Sequence, residues 1–239
     1  AEQTPVPHKG DPVDAARHKY ICVNADEGDS GTFADRMLME GDPFCLLEGM
    51  AIAAHAVGAD RGMIYLRSEY PAAIAVMSEA IEKARDRGWL GQGILGSSCN
   101  FDVTIRVGAG SYVCGEETAM LESLEGRRGT VRAKPPLPAI EGLFGTPTVI
   151  NNVLTIASVP SILARGAEAY AALGQERSRG TQVFQLAGNI ARGGIVEVAF
   201  GISAHELIFE WGQGTKSGRP LKAVQVGGPL GAYLPADAL

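Results

Sequence analysis

The stretch Gly108-Ala109-Gly110-Ser111-Tyr112-Val113-Cys114-Gly115-Glu116-Glu117-Thr118 decides how the rest of the chain is interpreted. A run typical of a strand, Phe101–Val107, precedes it, and a run typical of a helix, Glu116–Glu125, follows it. Glycines let the backbone turn sharply and approach a ligand closely, and free N–H groups at a helix start attract anions and polar oxygens. Glu116 and Glu117 also favour the helix dipole. The stretch therefore predicts either a ligand-binding loop or simply a well-made helix start.

The composition is that of an ordinary globular protein. The chain has 239 residues, of which 46% are hydrophobic and 20% charged, and its formal net charge is −6. These values predict one large domain, or a domain with a small module. They argue against binding of nucleic acid or an anionic membrane surface. No apolar run is long enough to span a bilayer, so we expect no direct membrane insertion.

The four cysteines and the first residues bear on cellular location. Cys22, Cys45, Cys99 and Cys114 show no C-x-x-C spacing, so no metal site is predicted within this chain. Scattered single cysteines are typical of a reducing compartment, and we expect a cytoplasmic protein. The segment Ala1–Lys19 is polar and rich in proline, and we expect a surface loop there rather than a signal peptide.

Strand-like and helix-like runs alternate through the first two thirds of the chain. Short apolar runs predict strands, and longer runs that begin at proline or end at glycine predict helices. Those ahead of the glycine-rich stretch are Tyr20–Asn24, Pro43–Gly58, Met63–Leu66 and Pro71–Arg87. The order strand–helix, three times over, predicts an α/β fold with a mainly parallel sheet.

A second informative stretch, Asn24–Thr32, follows the first predicted strand. Its acids suggest calcium, but the EF-hand spacing is absent. Its Gly28-Asp29-Ser30-Gly31 segment is similar to the loop around a serine-protease nucleophile, but the α/β alternation does not suit that fold. The third interpretation is a loop whose Asn and carboxylates bind the hydroxyls of a ribose or ribityl chain, because carboxylates are pure acceptors.

Two further stretches carry polar groups that suit a ligand. The loop Arg127–Pro138 is basic and rich in proline, so it is either a solvated surface or a rigid support that holds Lys134 over a bound anion. Asn151 and Asn152 stand at the opening of an apolar helix, where they either cap it or offer amide groups to a heterocycle edge or a phosphate.

The composition changes near residue 174. Residues 174–180 are polar and predict a linker. Beyond it, two strands, a short helix and a strand are predicted at Thr181–Leu186, Ile195–Phe200, Ala204–Trp211 and Leu221–Val226. We therefore predict an α/β domain over residues 1–173 and a small β-grasp-like module over residues 181–239.

Three stretches taken together, Asn24–Glu27, Gly108–Thr118 and Ile150–Val153, closely resemble one protein family. It is the NADH-binding flavoprotein subunit of complex I, of NAD-linked hydrogenases and of molybdenum formate dehydrogenases. Leu124–Arg128 and Lys134–Pro136 fit the same pattern. The resemblance covers nearly the whole chain, and the final module resembles that family's soluble-ligand-binding β-grasp domain. The segment 28–36 is most similar to the beta subunit of NAD-dependent formate dehydrogenase.

The resemblance implies FMN in the α/β domain and hydride transfer between NAD(H) and FMN. The residues expected to line FMN, with the two carboxylates on ribityl hydroxyls, are Asn24, Asp26 and Glu27. Those expected to approach the flavin are Tyr112, Gly115 and Glu116. Those expected at its phosphate end or ring edge are Asn151, Asn152 and Thr155.

The same resemblance places a nucleotide beside the flavin. The residues expected to contact NAD are Asp29, Glu117 and Lys134. Hydride transfer between a nicotinamide and a flavin needs stacking and exclusion of water, so no catalytic acid or base is expected. Carboxylates near the ribose repel a 2′-phosphate, which favours NAD over NADP.

The chain departs from the family pattern at four places. The family's glycine-rich loop that covers FMN and its C-terminal cysteine cluster for a [4Fe–4S] centre have no counterpart in the sequence. We therefore expect a part of a longer subunit, with the α/β domain lacking its N-terminal portion. Leu137 stands where relatives often carry Phe, and Asp29 where they often carry Glu.

The function expected from the sequence is an NADH:acceptor oxidoreductase (diaphorase) subunit. It passes electrons to iron–sulfur centres, in a complex with an iron–sulfur subunit and a molybdenum-containing catalytic subunit. The alternatives are the homologous subunit of complex I or of an NAD-linked hydrogenase, and a non-catalytic structural fragment.

Overall fold

The computed structural model describes residues 18–239. The surface loop expected over Ala1–Lys19 therefore lies almost entirely outside the described residues. The described chain forms two compact units. Unit 1 comprises residues 18–28 and Asp35–Pro160, and unit 2 comprises Asp29–Ala34 and Ser161–Leu239.

Unit 1 is built on a four-stranded parallel sheet. Its strands are β1 (Tyr20–Ala25), β2 (Arg61–Leu66), β3 (Asp102–Val107) and β4 (Thr148–Asn152). They lie in the order β3-β2-β1-β4, and Tyr20 pairs with Arg61 on one side and with Thr148 on the other. The predicted α/β fold with a mainly parallel sheet is confirmed.

The helices of unit 1 are α1 (Ala34–Gly41), α2 (Pro43–Val57), α3 (Pro71–Asp86), α4 (Glu117–Leu124) and α5 (Val153–Arg165), the last of which runs on into unit 2. The signals for α2 are realised: Asp42 accepts a hydrogen bond from the Cys45 backbone N–H at 3.2 Å, Pro43 begins the helix, and Gly58 ends it in the left-handed conformation.

Alternate residues of β1 point into two different cores. Ile21 and Val23 are fully buried with side chains of α2 and α3, whereas Cys22 is buried with side chains of α4. Both sheet faces are therefore covered by helices, as expected of a parallel sheet. The carboxyl ends of its strands form the edge available to a ligand.

Two elements of unit 1 differ from the sequence prediction. Asn151 and Asn152 end the strand β4, whereas the sequence had placed them at the opening of a helix. Helix α5 begins one residue later, and Asn152 Oδ1 accepts from the Leu154 N–H at 2.8 Å, so Asn152 keeps a capping role as well. Helix α1 was not predicted, because its eight residues follow a polar loop without a proline or a conventional cap.

Unit 2 contains small antiparallel pairs. Strands β7 (Thr181–Leu186) and β8 (Gly194–Ala199) form a hairpin close to the predicted bounds, and β9 (Ala223–Val226) pairs with the unpredicted β10 (Ala232–Pro235). Short elements complete the unit: α6 (Ala167–Ala171), β5 (Gly174–Gln175), β6 (Ser178–Arg179) and a helical segment of Ala204–Glu206 continued by Leu207–Trp211. The β-grasp assignment and the domain bounds 1–173 and 181–239 stay predictions.

Candidate functional site

The carboxyl ends of β1 and β3 are joined through the side chain of Asn24. Its amide Nδ2 donates to the Gly115 carbonyl at 2.8 Å, and its Oδ1 accepts from the Asp26 N–H at 3.2 Å. One side chain thus fixes the loop after β1 against the glycine-rich stretch after β3. Three of the residues expected at FMN, Asn24, Asp26 and Gly115, therefore lie together.

The Asp26 carboxylate is buried, with 4% of the residue exposed. Within residues 18–239, no side-chain or backbone group donates a hydrogen bond to it. A methyl group built on Gly115 would lie 3.5 Å from Asp26 Oδ2, and one built on Gly28 would lie 3.6 Å from it. The carboxylate thus faces positions without side chains, where a ligand's hydroxyl groups fit its acceptor capacity.

The chemistry of Asp26 follows from that burial. Burial raises the pKa of Asp26 to about 6, and the positive charge of Arg67 opposes part of the shift. Buried polar groups normally have hydrogen-bond partners. An acceptor left without one in the described part of the chain fits the ribityl hydroxyls of FMN.

Glu27 is used by the protein itself. Its carboxylate accepts from the N–H groups of Asp35 and Arg36 at 3.1 and 3.2 Å, at the start of α1, and from the Tyr70 hydroxyl at 3.0 Å. Arg67 donates to the Glu27 backbone carbonyl. The side chain thus caps α1, and its expected ribityl contact stays a prediction.

Asp35 is a residue of this edge that the sequence analysis did not identify. It is 4% exposed, and its Oδ2 accepts from Asn152 Nδ2 at 2.7 Å. Burial, with the nearby charge of Glu27, raises the pKa of Asp35 to about 7, although the Asn152 hydrogen bond lowers it. Both polar atoms of the Asn152 side chain are thereby engaged, and its orientation is fixed. Asn151 lies beside it in β4, and Thr155 lies in the first turn of α5.

The glycine-rich stretch forms a tight helical turn, Tyr112–Gly115, followed by α4. Glu116 caps α4: its Oε2 accepts from the N–H groups of Thr118 and Ala119 at 2.9 and 2.8 Å, and from the Thr118 hydroxyl at 2.6 Å. Burial alone would raise the pKa of Glu116, but these hydrogen bonds outweigh it and hold the pKa below its ordinary value. The helix-start interpretation is therefore confirmed for Glu116.

Lys134 and Glu117, both expected at NAD, form an ion pair in the structure. The Lys134 ammonium also lies 3.6 Å from Glu116 Oε1. Tyr112 lies against the Gly28 backbone, since a methyl group there would be 2.9 Å from Tyr112 Cδ2. Asp29 belongs to unit 2, where a methyl group on Gly228 would lie 3.2 Å from its Oδ2.

The features of unit 1 define a cofactor-binding α/β domain. They are a parallel sheet with helices on both faces, a glycine-rich turn at its carboxyl edge, and a buried carboxylate there that no described residue satisfies. The chain belongs to the family described as the Nuo51 FMN-binding domain, which matches residues 2–161. Membership of this family confirms the expected fold and the expected cofactor FMN.

The relatives are components of redox complexes. A protein named as an F-type component (F 2) of the NADH-quinone oxidoreductase of Rhizobium meliloti is 50% identical over 95% of this chain and 54% of that protein. The HndC component of the NADP-reducing hydrogenase of Solidesulfovibrio fructosivorans is 49% identical over 92% of this chain and 44% of that protein. The chain thus spans about half the length of the curated relatives it matches.

A solved structure agrees with this relationship. The crystal structure of an NAD+-reducing [NiFe]-hydrogenase in the H2-reduced state matches with a TM-score of 0.83 and 38% sequence identity, over 93% of this chain and 37% of the matched chain. Within residues 18–239, none of the helices combines the length and the apolar character needed to cross a membrane.

Proposed function

We propose that the chain is the FMN- and NAD(H)-binding part of a flavoprotein subunit that exchanges a hydride between NAD(H) and FMN. The observation that carries the proposal is the Asp26 carboxylate, which is buried and faces two glycines, with no hydrogen-bond donor to it among the described residues. In a chain of the FMN-binding family, hydroxyl groups of the cofactor are the donors that this acceptor requires.

Each remaining residue has a binding or orienting role. Asn24 fixes the loop that carries Asp26, and Asn152, oriented by Asp35, presents a fixed amide at the same edge. Bound FMN supplies a ring that accepts a hydride and releases electrons singly. The protein's own contribution is binding, orientation and exclusion of water, so we assign no catalytic acid or base.

The proposed nucleotide contacts are Glu117, Lys134 and Asp29. Glu117 and Lys134 are supported by their ion pair beside the glycine-rich turn. Because carboxylates repel a 2′-phosphate, we propose that NAD is preferred over NADP. The Solidesulfovibrio relative is named as NADP-reducing, so family membership leaves the choice open. A comparison of NADH and NADPH oxidation by the same sample tests it, and equal rates contradict it.

For the parent complex we propose an NAD-dependent molybdenum formate dehydrogenase, on the similarity of residues 28–36 to its beta subunit. The relatives support complex I and an NAD(P)-linked hydrogenase comparably. In each case electrons pass to iron–sulfur centres, with the [4Fe–4S] centre outside this chain. We place the complex in the cytoplasm, which suits the four unpaired cysteines. Reduction of NAD+ by formate, by hydrogen, or by neither in the purified natural complex separates these parents.

The deciding experiment is an anaerobic titration of the full natural subunit with NADH, followed by the visible absorption of the flavin. We expect bound FMN and stoichiometric bleaching by NADH. Flavin that NADH does not bleach contradicts the nucleotide site. A full-length subunit that binds no flavin contradicts the whole proposal and leaves the structural-fragment alternative.

A further inference from the structure

The loop that carries Lys134 is held to helix α4 mainly through Arg132. The Arg132 guanidinium donates to Glu122 Oε1 at 2.5 Å, to Glu125 Oε1 at 2.9 Å and to the Gly142 carbonyl at 3.1 Å. Its backbone N–H donates to the Thr118 hydroxyl oxygen at 2.9 Å. Four hydrogen bonds from one residue therefore set the position of this loop.

These contacts lead directly to Lys134. The Thr118 hydroxyl that accepts from Arg132 itself donates to Glu116, whose other carboxylate oxygen lies 3.6 Å from the Lys134 ammonium. Lys134 is only two residues after Arg132, a span of about 7 Å at most. Fixing Arg132 therefore leaves the Lys134 backbone little freedom.

Arg127 supplies a matched comparison. It binds the same two carboxylates, Glu122 and Glu125, but directly after the end of α4, where it does not reach the segment around Lys134. The acids of α4 thus receive charge from two arginines, and only Arg132 also binds the loop. Removal of either arginine leaves the acids with one cation, so both variants are expected to fold.

We propose that Arg132 is a positioning residue, which holds the Lys134 ammonium at Glu117 so that it meets the anionic groups of a bound dinucleotide. The proposal rests on the proposed function for the identity of that ligand. A planar guanidinium reaches three acceptors in fixed directions, whereas a lysine ammonium does not reproduce the fork. Charge at position 132 is therefore not sufficient.

The first test measures the position of Lys134 without any catalysis. The full natural subunit and its R132M, R127M and R132K variants are acetylated under competition, and the labelling of each lysine is read by mass spectrometry. Lys83, paired with Glu79 on α3, is the internal reference. We expect R132M to label several-fold faster at Lys134, R127M to match the wild type, and R132K to lie between them.

The second test measures the consequence for the nucleotide. We expect R132M to raise the KM for NADH about 10-fold, because a binding group is no longer preorganised, while kcat and flavin content remain within about twofold of the wild type. R127M should change neither constant. A rise in KM of equal size in both variants would indicate general weakening of α4 and overturn the proposal.

The two tests fail separately. Unchanged Lys134 labelling in R132M overturns the positioning role, whatever the enzyme does. Faster labelling with an unchanged KM confirms the positioning of Lys134 but overturns its role at the nucleotide. If NADH fails to bleach the wild-type flavin, the proposed function fails, and the labelling result still decides whether Arg132 holds Lys134.

Discussion

Two groups of acidic side chains in unit 1 have opposite electrostatics. At the end of β1, Asp26 and Asp35 are each 4% exposed, and burial raises their pKa values to about 6 and about 7. On α4, the Glu122 and Glu125 side chains are 12% and 7% exposed, and each pairs with two arginines. Hydrogen bonding, first from Arg127, lowers the pKa of Glu122 to about 2.

The contrast teaches how to separate a binding carboxylate from a structural one. Burial is similar in the two groups, so burial alone does not distinguish them. The arginines compensate the lost solvation on α4, whereas at the end of β1 the cost of desolvation remains and raises the pKa. A buried carboxylate without a cation is thus the better candidate for a ligand contact.

The largest predicted effect is on the pH dependence of stability, through D35N. The pKa of Asp35 rises from 3.8 to about 7 on folding, so the native state holds a proton that the unfolded state has lost, and stability falls as pH rises between these values. The neutral Asn can still accept from Asn152. We expect D35N to raise the free energy of unfolding at pH 8 by about 4 kcal/mol, at about 1.4 kcal/mol per pKa unit, with little change at pH 4.

Urea denaturation of both proteins at pH 4, 6 and 8 checks this prediction. E122Q is the opposite control. Because its pKa is lowered, the ionised Glu122 stabilises the fold above its unfolded pKa of 4.5, and this contribution is lost as pH falls towards about 2. Equal effects of D35N at pH 4 and pH 8 would show that Asp35 is not protonated on folding.

The next effect separates stability from cofactor binding at Asp26. In D26N the cost of a buried charge disappears, and we expect the apoprotein to gain up to about 3 kcal/mol at pH 8. The same variant loses a charged acceptor for the ribityl hydroxyls, so FMN affinity should fall about 10-fold. Flavin fluorescence titration of the full natural subunit measures the affinity, and E122Q should leave it unchanged. Unaltered affinity in D26N would remove Asp26 from the FMN site.

A smaller effect is expected on the α4 side. E125Q weakens the hydrogen bonds from Arg127, Arg132 and the Phe144 N–H. Breaking a buried ion pair costs about 3–5 kcal/mol, and partial exposure of the arginines reduces this to about 2 kcal/mol here. Thermal and urea unfolding measure the loss. No loss of stability would mean that this network is as weak as an ordinary surface pair.

The sequence identified the parts of this architecture that depend on local patterns. Apolar runs located β1, β2 and β3, and Asp42, Pro43 and Gly58 mark α2 as local capping rules require. Strand β4 was missed because Thr148–Ile150 is short and the following asparagines also suit a helix cap. Its strand conformation comes from pairing with β1, which lies far away in the sequence.

The same limit applies to the site. The resemblance placed Asn24, Asp26 and Gly115 near one another, and the structure brings them together. Asp35 resembles an ordinary acid in a first helical turn. Its significance comes from Asn152, 117 residues further along the chain. Local sequence cannot reveal a contact over that separation.

The smallest predicted effect tests the comparison with single methyl groups. In G115A the new methyl lies 3.5 Å from Asp26 Oδ2, an ordinary contact, so apoprotein stability should change by less than about 0.5 kcal/mol, while FMN affinity falls because the methyl occupies the space facing Asp26. In G126A, at the end of α4, nothing lies near the methyl, but φ is +76°, and the strain should cost about 1 kcal/mol without affecting FMN. Flavin titration and urea unfolding of both variants give the two readings. If G126A weakens FMN binding as much as G115A does, the end of β1 and the α4 acids are not functionally separate.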